Sequence, residues 1–594
     1  MQLTTLLITP ALTGLNTPYP ATTVLLGHLK HLGHKAWQWD MSIAVAQAVF
    51  CRDFVQRMFE STELNESFSS QAINVYLAKQ RYIDTIDSIW RFLRGDDHTL
   101  AQRIICDDFL PRGTRFEMYD EQELEWAFGT VATQERAKHF ATLYLQELTD
   151  FIREVVDPDF DLIRYGEQIA IALPQMDALI ERLKDRTIIS ELILTLFKAK
   201  FMATSPSIVG FSVPFPGCLL SALRCAEYLK QHSPQTTVVL GGGYINTELR
   251  QLSDSRIFDY VDYILYDDGE LPLQRIVEGG ELIRTAHCVD GKVIFEGMST
   301  REKFLSQPDF TDIDPKQYIS LLEMANPMHR LWSDGFWNKI TAAHGCYWAK
   351  CAFCDTSLDY ICRYEPLEAK MIVDNMERVM AQTGSSGFHF TDEALPPKLL
   401  REVATEILHR KLVVSYWGNI RFEKAYTQEL CKLLAASGCI AVSGGLEVAS
   451  NEILRQINKG VTIEQARNAM ENLTSNFIMV HTYLMYGFPG QSVEQTINSL
   501  EVVRGMFSDG LIQSAFWHRF AMTVHSPVGQ NPAAYGAKIT GKKKNHFANN
   551  SIVFTDNQDH LKDEALGQAL YKATYNYMHG MGLDTPVRQW FKLR

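Results

Sequence analysis

Ala343-His344-Gly345-Cys346-Tyr347-Trp348-Ala349-Lys350-Cys351-Ala352-Phe353-Cys354 is the stretch that decides how this chain is read. Three thiols fall within nine residues there, close enough to converge on one metal centre. A closed structural site takes four protein ligands, and no fourth cysteine follows at matching spacing, so a centre held here keeps one position open. An iron–sulfur cubane on three cysteines leaves one iron for substrate or cofactor. The same thiols also suit a zinc knuckle completed by His344 or Cys362, or a packing role as small buried side chains. Asn338 to His344 reads as a short buried strand broken by Gly345, so the cysteines fall in the loop after a strand, where barrel enzymes carry their chemistry.

Downstream, strand-like runs recur at Lys339–His344, Gly387–Thr391, Leu412–Trp417, Ile440–Gly444, Phe477–Tyr486 and Leu511–Trp517. Helix-period segments alternate with them at Leu367–Ala381, Lys398–His409, Ala425–Ala436, Ile463–Leu473 and Val493–Met506. That alternation predicts an α/β fold of parallel strands joined by right-handed crossovers. Six such units make a partial barrel, open on one side, with its active face at the carboxyl ends of the strands.

With Cys351-Ala352-Phe353-Cys354 closing the trio as Cys-x-aromatic-Cys, the chain resembles the radical S-adenosylmethionine (SAM) enzymes, most closely the cobalamin-dependent, B12-binding members. The resemblance covers roughly Phe336 to Pro527. It implies a [4Fe–4S] cluster on Cys346, Cys351 and Cys354 whose unique iron is chelated by SAM, which is cleaved reductively to a 5′-deoxyadenosyl radical. Four residues, Tyr347 to Lys350, separate the first two cysteines where the commonest family spacing has three; members with a cobalamin domain show such variants. Thr391-Asp392-Glu393 resembles the element that holds the methionine ammonium, and Arg421 is placed to pair the methionine carboxylate. Ser443-Gly444-Gly445-Leu446-Glu447 resembles the element that sets Glu447 near the ribose, and Gly487-Phe488-Pro489-Gly490 the turn beside the adenine. The SAM-binding set implied is therefore Phe353, Thr391, Asp392, Glu393, Arg421, Glu447, Gly487, Pro489 and Gly490.

Ahead of the barrel lies a second α/β region. Ser207–Val213, Thr237–Gly243 and Tyr260–Leu265 read as strands, with Leu219–His232 as a helix; Thr4–Thr9, Thr22–Leu32 and Lys35–Asp40 read as strand, helix and strand. Glycine-rich strand ends on an open sheet mark a ligand crevice. This Rossmann-like region resembles a cobalamin-binding domain, including the turn Asp268-Gly269-Glu270, and the resemblance implies cobalamin near Ser212, Gly241, Gly242 and Gly243. The Asp-x-His-x-x-Gly motif, whose histidine replaces the cofactor's own base, does not occur; the nearest string, Asp96-Asp97-His98-Thr99-Leu100-Ala101, lacks the glycine, and His98 is read as structural. A scaffold that binds no cofactor is the alternative.

The divisions expected are 1–300 for the N-terminal domain, with a helical insertion over about 41–204 (as at Gln71–Leu93 and Glu135–Val156), a linker at 301–335, the barrel at 336–530 and a C-terminal extension at 531–594. That extension begins with a polar loop carrying Lys542-Lys543-Lys544 and ends in a helix over Asp559–Met578. The net charge of −13 argues against unaided nucleic-acid binding. No apolar run reaches membrane-spanning length, Met1 to Pro10 lacks a cationic start, and the free cysteines fit a reducing compartment, so a cytoplasmic protein without a membrane partner is expected. The family resemblance implies a reductant such as flavodoxin or ferredoxin, and a small-molecule or peptide substrate methylated at an unactivated carbon. Cyclisation or rearrangement is the enzymatic alternative, and a non-catalytic iron–sulfur or zinc protein the alternative of another class. Tyr486, His518 and His525 lie near strand ends and are candidates for moving protons.

Overall fold

The computed structural model describes the chain except residues 1, 2, 107, 118–123, 125–127, 129–131, 163–174, 302, 541–546, 559–562 and 592–594, so the lysine run Lys542-Lys543-Lys544 lies outside the described residues. Its N-terminal sheet is built from β1 (Thr4–Thr9), β2 (Lys35–Asp40), β3 (Ile208–Ser212), β4 (Thr237–Gly241), β5 (Tyr263–Leu265), β6 (Thr285–Val289) and β7 (Lys292–Glu296). β1 and β3 are almost wholly buried, as parallel strands covered by helices on both faces must be. The strand order is β2-β1-β3-β4-β5-β6-β7, parallel as far as β5 and antiparallel over the last two. The order 2-1-3-4-5 is doubly wound, and its reversal between β1 and β3 opens a crevice at their carboxyl ends.

The chain leaves this sheet after β2 and returns at β3, and helices fill the interval. The helix read over Gln71–Leu93 is broken at Ala78 into Ser70–Leu77 and Lys79–Leu93, and the one read from Glu135 runs Thr133–Phe151 before a π turn at Ile152–Val156. The linker after β7 lies against the N-terminal domain. At Gly27 a β-carbon would meet the carbonyl oxygen of Gln307 at 1.7 Å, so only glycine lets the helix Pro20–His31 approach that closely.

The barrel strands are β8 (Asn338–Ile340), β9 (Gly387–Phe390), β10 (Ser415–Ile420), β11 (Cys439–Glu447), β12 (Met479–Tyr486) and β13 (Ser514–Arg519). They form one parallel sheet in the order β13-β12-β11-β10-β9-β8, open between β8 and β13. Three begin two or three residues later than their apolar runs, because Leu412, Phe477 and Leu511 belong to the turns that enter them. Capping boxes at Thr462/Gln465 and Ser492/Gln495 start the helices before β12 and β13. Outward residues such as Phe388, Tyr416 and Val442 are buried under the helices. The inward face is polar: Thr341 and Thr391 share a hydrogen bond of 3.0 Å, the Ser443 hydroxyl donates to Asn419, and His481 Nδ1 lies 2.9 Å from Ser514 Oγ. The linker residue Trp332 packs edge-on against His481 at 4.8 Å between ring centres. The helix Asp563–Met578 then lies along β13.

The insertion is tied to the linker by His139, which is fully buried with Nδ1 2.8 Å from the carbonyl oxygen of Leu322, and by Thr142, whose hydroxyl accepts the Leu322 N–H at 2.8 Å. Burial lowers the His139 pKa from 6.5 to about 4, so this imidazole stays neutral in the fold and takes up a proton on unfolding. Its contribution is therefore intact above pH 6.5 and is lost as pH falls toward 4. Stability from denaturant titrations is expected to drop over that window, by an amount on the order of 3 kcal/mol for this one group, and His139→Gln is expected to flatten the slope.

Candidate active site

The cysteine loop is held at both ends by backbone hydrogen bonds. The N–H of Cys346 donates to the Ile361 carbonyl at 3.1 Å, and that of Ala352 to Ile457 at 2.8 Å. Cys351 is buried, while Cys346 and Cys354 are partly accessible. A hydrogen bond with Cys354 lowers the Cys351 pKa to about 7, with Lys459 and Arg421 pulling the same way; the proton that bond shares raises Cys354. One thiolate is thus favoured at neutral pH, as a metal ligand requires.

The two cations are themselves anchored. Lys459 is buried and pairs with Glu447 at 2.7 Å, over the Phe353 ring at 5.6 Å. Arg421, also buried, donates to Glu423 at 2.8 Å and to the Lys459 carbonyl at 2.6 Å, and its guanidinium lies 4.5 Å from the Trp348 ring. Glu447 ends β11 with φ of 63°. A β-carbon at Gly445 would fall 1.8 Å from the Glu447 carboxylate, which explains the glycine there. Lys459 is not legible as a site residue from sequence, since nothing in its local surroundings announces that it folds back onto the cysteine loop.

The adjacent acids after β9 take different roles. Asp392 is buried, and its carboxylate accepts the N–H groups of Ala342 (3.0 and 3.1 Å) and Ala343 (2.6 Å), with burial raising its pKa to about 7. It holds the segment that leads into the cysteines. Glu393 is open to solvent yet ringed by protein; that crowding, with Asp355 nearby, pushes its carboxyl up to about 7. Thr391 is held at the strand end by the Ile340 carbonyl. Gly487 and Gly490 adopt φ of 78° and 80°, and between them Phe488 is buried against Phe520 while the Pro489 carbonyl accepts from Gln456 at 3.5 Å.

His344, immediately ahead of the cysteines, joins the two sheets. Its Nδ1 lies 2.9 Å from Asp268 of the N-terminal domain and its Nε2 3.2 Å from Asp359, while Arg363 pairs with both carboxylates and Arg284 with Asp359 at 3.4 Å. Among the described residues, this is the only group of three or more histidine, cysteine or acidic side chains with ligand atoms all within 4.8 Å of one another. Both ring nitrogens face carboxylates and the arginines neutralise those carboxylates, so it is an ion-pair cluster. His344 turns to the acids instead of completing a knuckle with the cysteines. Cys362 is exposed.

The N-terminal crevice contains a cavity of about 270 Å³ lined by Ser212, Gly241, Gly242, Gly243 and the Asp268-Gly269-Glu270 turn, with Thr341 of the barrel also in its wall and, among the described residues, no histidine there. The Ser212 hydroxyl is buried without a hydrogen-bond partner. Of the proposed proton movers, only His518 lies on the barrel's inner face, its ring 6.0 Å from that of Tyr483. Tyr486 abuts Gly567 of the C-terminal helix, and His525 Nε2 lies 2.9 Å from the Thr247 carbonyl as an interdomain tie. His98 sits in a single 3₁₀ turn of the insertion, away from either sheet.

These features define a parallel-barrel protein with a cysteine-bearing first loop. Residues 340–503 match the Radical SAM superfamily. The chain is 26% identical over 324 residues to the anaerobic magnesium-protoporphyrin IX monomethyl ester cyclase of Rubrivivax gelatinosus, covering 52% of this chain and 56% of that protein. It is 23% identical over 309 residues to an uncharacterized methyltransferase of Pyrococcus horikoshii, covering 51% and 65%. The chain thus spans between half and two thirds of the length of these relatives. The fold is shared with OxsB, a cobalamin-dependent SAM radical enzyme solved with aqua-cobalamin and SAM bound, at a TM-score of 0.50 and 13% identity, over 64% of this chain and 59% of that one.

Because Asp392 serves the backbone and the Glu393 side chain is exposed, substituting them has different consequences. Asp392→Ala leaves buried N–H groups unsatisfied and is expected to lower stability by about 2–3 kcal/mol in denaturant titrations, while Glu393→Ala stays within about 0.5 kcal/mol of wild type.

Proposed function

We propose that this chain is a cobalamin-dependent radical SAM enzyme that methylates an unactivated carbon of its substrate. The observation that carries the reading is the juxtaposition of the three-thiol loop at the barrel mouth with the glycine-walled crevice of the N-terminal sheet. The donor set suits an iron–sulfur cubane: three thiols from one loop, with Lys459 and Arg421 stabilising thiolate at Cys351. The crevice suits part of cobalamin through the partnerless Ser212 hydroxyl and a wall without side chains at Gly241, Gly242 and Gly243.

Bound there, the cluster with SAM supplies a 5′-deoxyadenosyl radical and cobalamin supplies a transferable methyl group. The protein's part is positioning. Cys346, Cys351 and Cys354 would hold the cluster and leave one iron to SAM. Glu393, alone of the two acids in being uncommitted to backbone, would bind the methionine ammonium. Arg421 is committed to Glu423 and the Lys459 carbonyl, so its service here is to hold Lys459 and the loop and to favour thiolate at Cys351. Glu447 would reach the ribose from the end of β11, and the Gly487–Gly490 turn, with Phe353, would flank the adenine. The relatives' names divide between ring closure and methyl transfer, and the cobalamin crevice favours methyl transfer for this chain.

Cys346→Ala, Cys351→Ala and Cys354→Ala are each expected to strip most iron from anaerobically reconstituted protein, with Cys362→Ala retaining it; iron quantification decides, and full iron in all three variants refutes the ligand set. Because no histidine lines the crevice among the described residues, and the lower position is expected to be left by cobalamin's own base as well, bound cob(II)alamin is expected to show no three-line nitrogen splitting in its electron paramagnetic resonance spectrum. A clear splitting contradicts that geometry, and failure to bind cobalamin at all contradicts the role of the domain.

A further inference from the structure

A second cavity, of about 310 Å³, lies beside the edge strand β13 at the lateral opening of the barrel. Four separate segments wall it: the insertion through Gln146, the linker through Met324, β13 through Phe516 and Trp517, and the C-terminal helix through Tyr571 and Tyr575. None of its lining residues falls within 340–503, the span shared with the superfamily.

The chamber adjoins the barrel lumen, because Phe516 and His518 in its wall lie on the inner face of β13. The Phe516 ring lies 5.1 Å from that of His481 on the inner face of the barrel. At the start of the C-terminal helix, Asp563 pairs with Arg519 at 2.9 Å, and its carboxylate lies 3.6 Å from where a β-carbon of Gly487 would stand. Tyr571 follows two turns later, about 12 Å along the helix.

The walls also state what fits. The Trp517 indole is fixed by its Nε1–H donating to Thr574 Oγ1 at 2.9 Å, and the Tyr571 and Tyr575 rings stack with centroids 6.3 Å apart at 17°. Arg115 in the wall is engaged by both oxygens of Asp150 at 2.6 and 2.9 Å, so it is not a free anion site, and Glu323 and His518 complete the polar part of the lining. Its volume sits at the lower end of the ~300–1,000 Å³ of small-molecule pockets, room for two or three fused rings and too little for a whole tetrapyrrole. We infer that this cavity is the substrate chamber of the radical chemistry proposed above, on which the inference rests, and that it selects a planar two- or three-ring aromatic molecule by stacking.

The test is equilibrium dialysis of the full-length protein with 7-methoxycoumarin, a neutral two-ring probe. Saturable binding at one site is expected, and Gln146→Phe, which fills the chamber, and Tyr571→Ala, which removes a ring from its wall, are each expected to raise Kd at least ten-fold. Both positions reach solvent, so neither change disturbs the core. Absence of saturable binding, or wild-type affinity in either variant, overturns the inference. SAM cleavage by the wild-type protein is measured separately: its failure falls on the radical SAM reading, while coumarin binding reports the chamber alone.

Discussion

The imidazole of His344 stands between the carboxylates of Asp268 and Asp359, two residues before the first cysteine, and the relation between the two halves of the molecule depends on it. Asp268 belongs to the last turn of the crevice in the N-terminal sheet, and His344 to the strand that delivers the cysteine loop. The two acids on either side raise the His344 pKa to about 9 against the effect of burial, so the ring is an imidazolium over the physiological range. Breaking a buried pair by removing one partner is far more costly than never having made it, and specificity of arrangement is what such clusters supply when they supply anything. Here the arrangement specified is that of the crevice facing the cysteine loop.

Other contacts serve the same end. Trp332 of the linker plugs the barrel from below while Asn16 of the N-terminal domain donates to its carbonyl at 2.8 Å. The Tyr318 hydroxyl donates to Asp40 at 2.9 Å, and Lys339 on β8 is lowered to about 8 by burial, with Asp40 partly opposing the shift. Domains joined by so many buried polar ties act as one frame.

Much of this architecture is legible in the amino-acid sequence. The three cysteines, their placement after a strand and the six-fold alternation of apolar runs and helical periods all follow from residue pattern, and each barrel strand lies where its apolar run does, give or take the turn that enters it. The hairpin β6–β7 falls outside the expected strands although Val289-Asp290-Gly291-Lys292 carries an Asp-Gly turn between two extended runs. Other gaps have a different cause. Asp392 and Glu393 are neighbours of like chemistry, and only the fold shows that one meets the N–H groups of Ala342 and Ala343 while the other stays exposed beside Asp355. Arg421 looks available in the sequence because its partners, Glu423 and the Lys459 carbonyl, are set by a turn geometry that sequence does not state. The chamber at β13 is invisible there for the same reason, since residues more than four hundred positions apart build its walls.

Reductive cleavage of SAM at the cysteine loop is the claim on which the remaining chemistry rests. The direct measurement is 5′-deoxyadenosine released from SAM by the anaerobically reconstituted protein with dithionite as electron donor, followed by mass spectrometry. Formation of 5′-deoxyadenosine and methionine in equal amounts is the predicted result; intact SAM in the presence of a spectroscopically confirmed [4Fe–4S] cluster would contradict it.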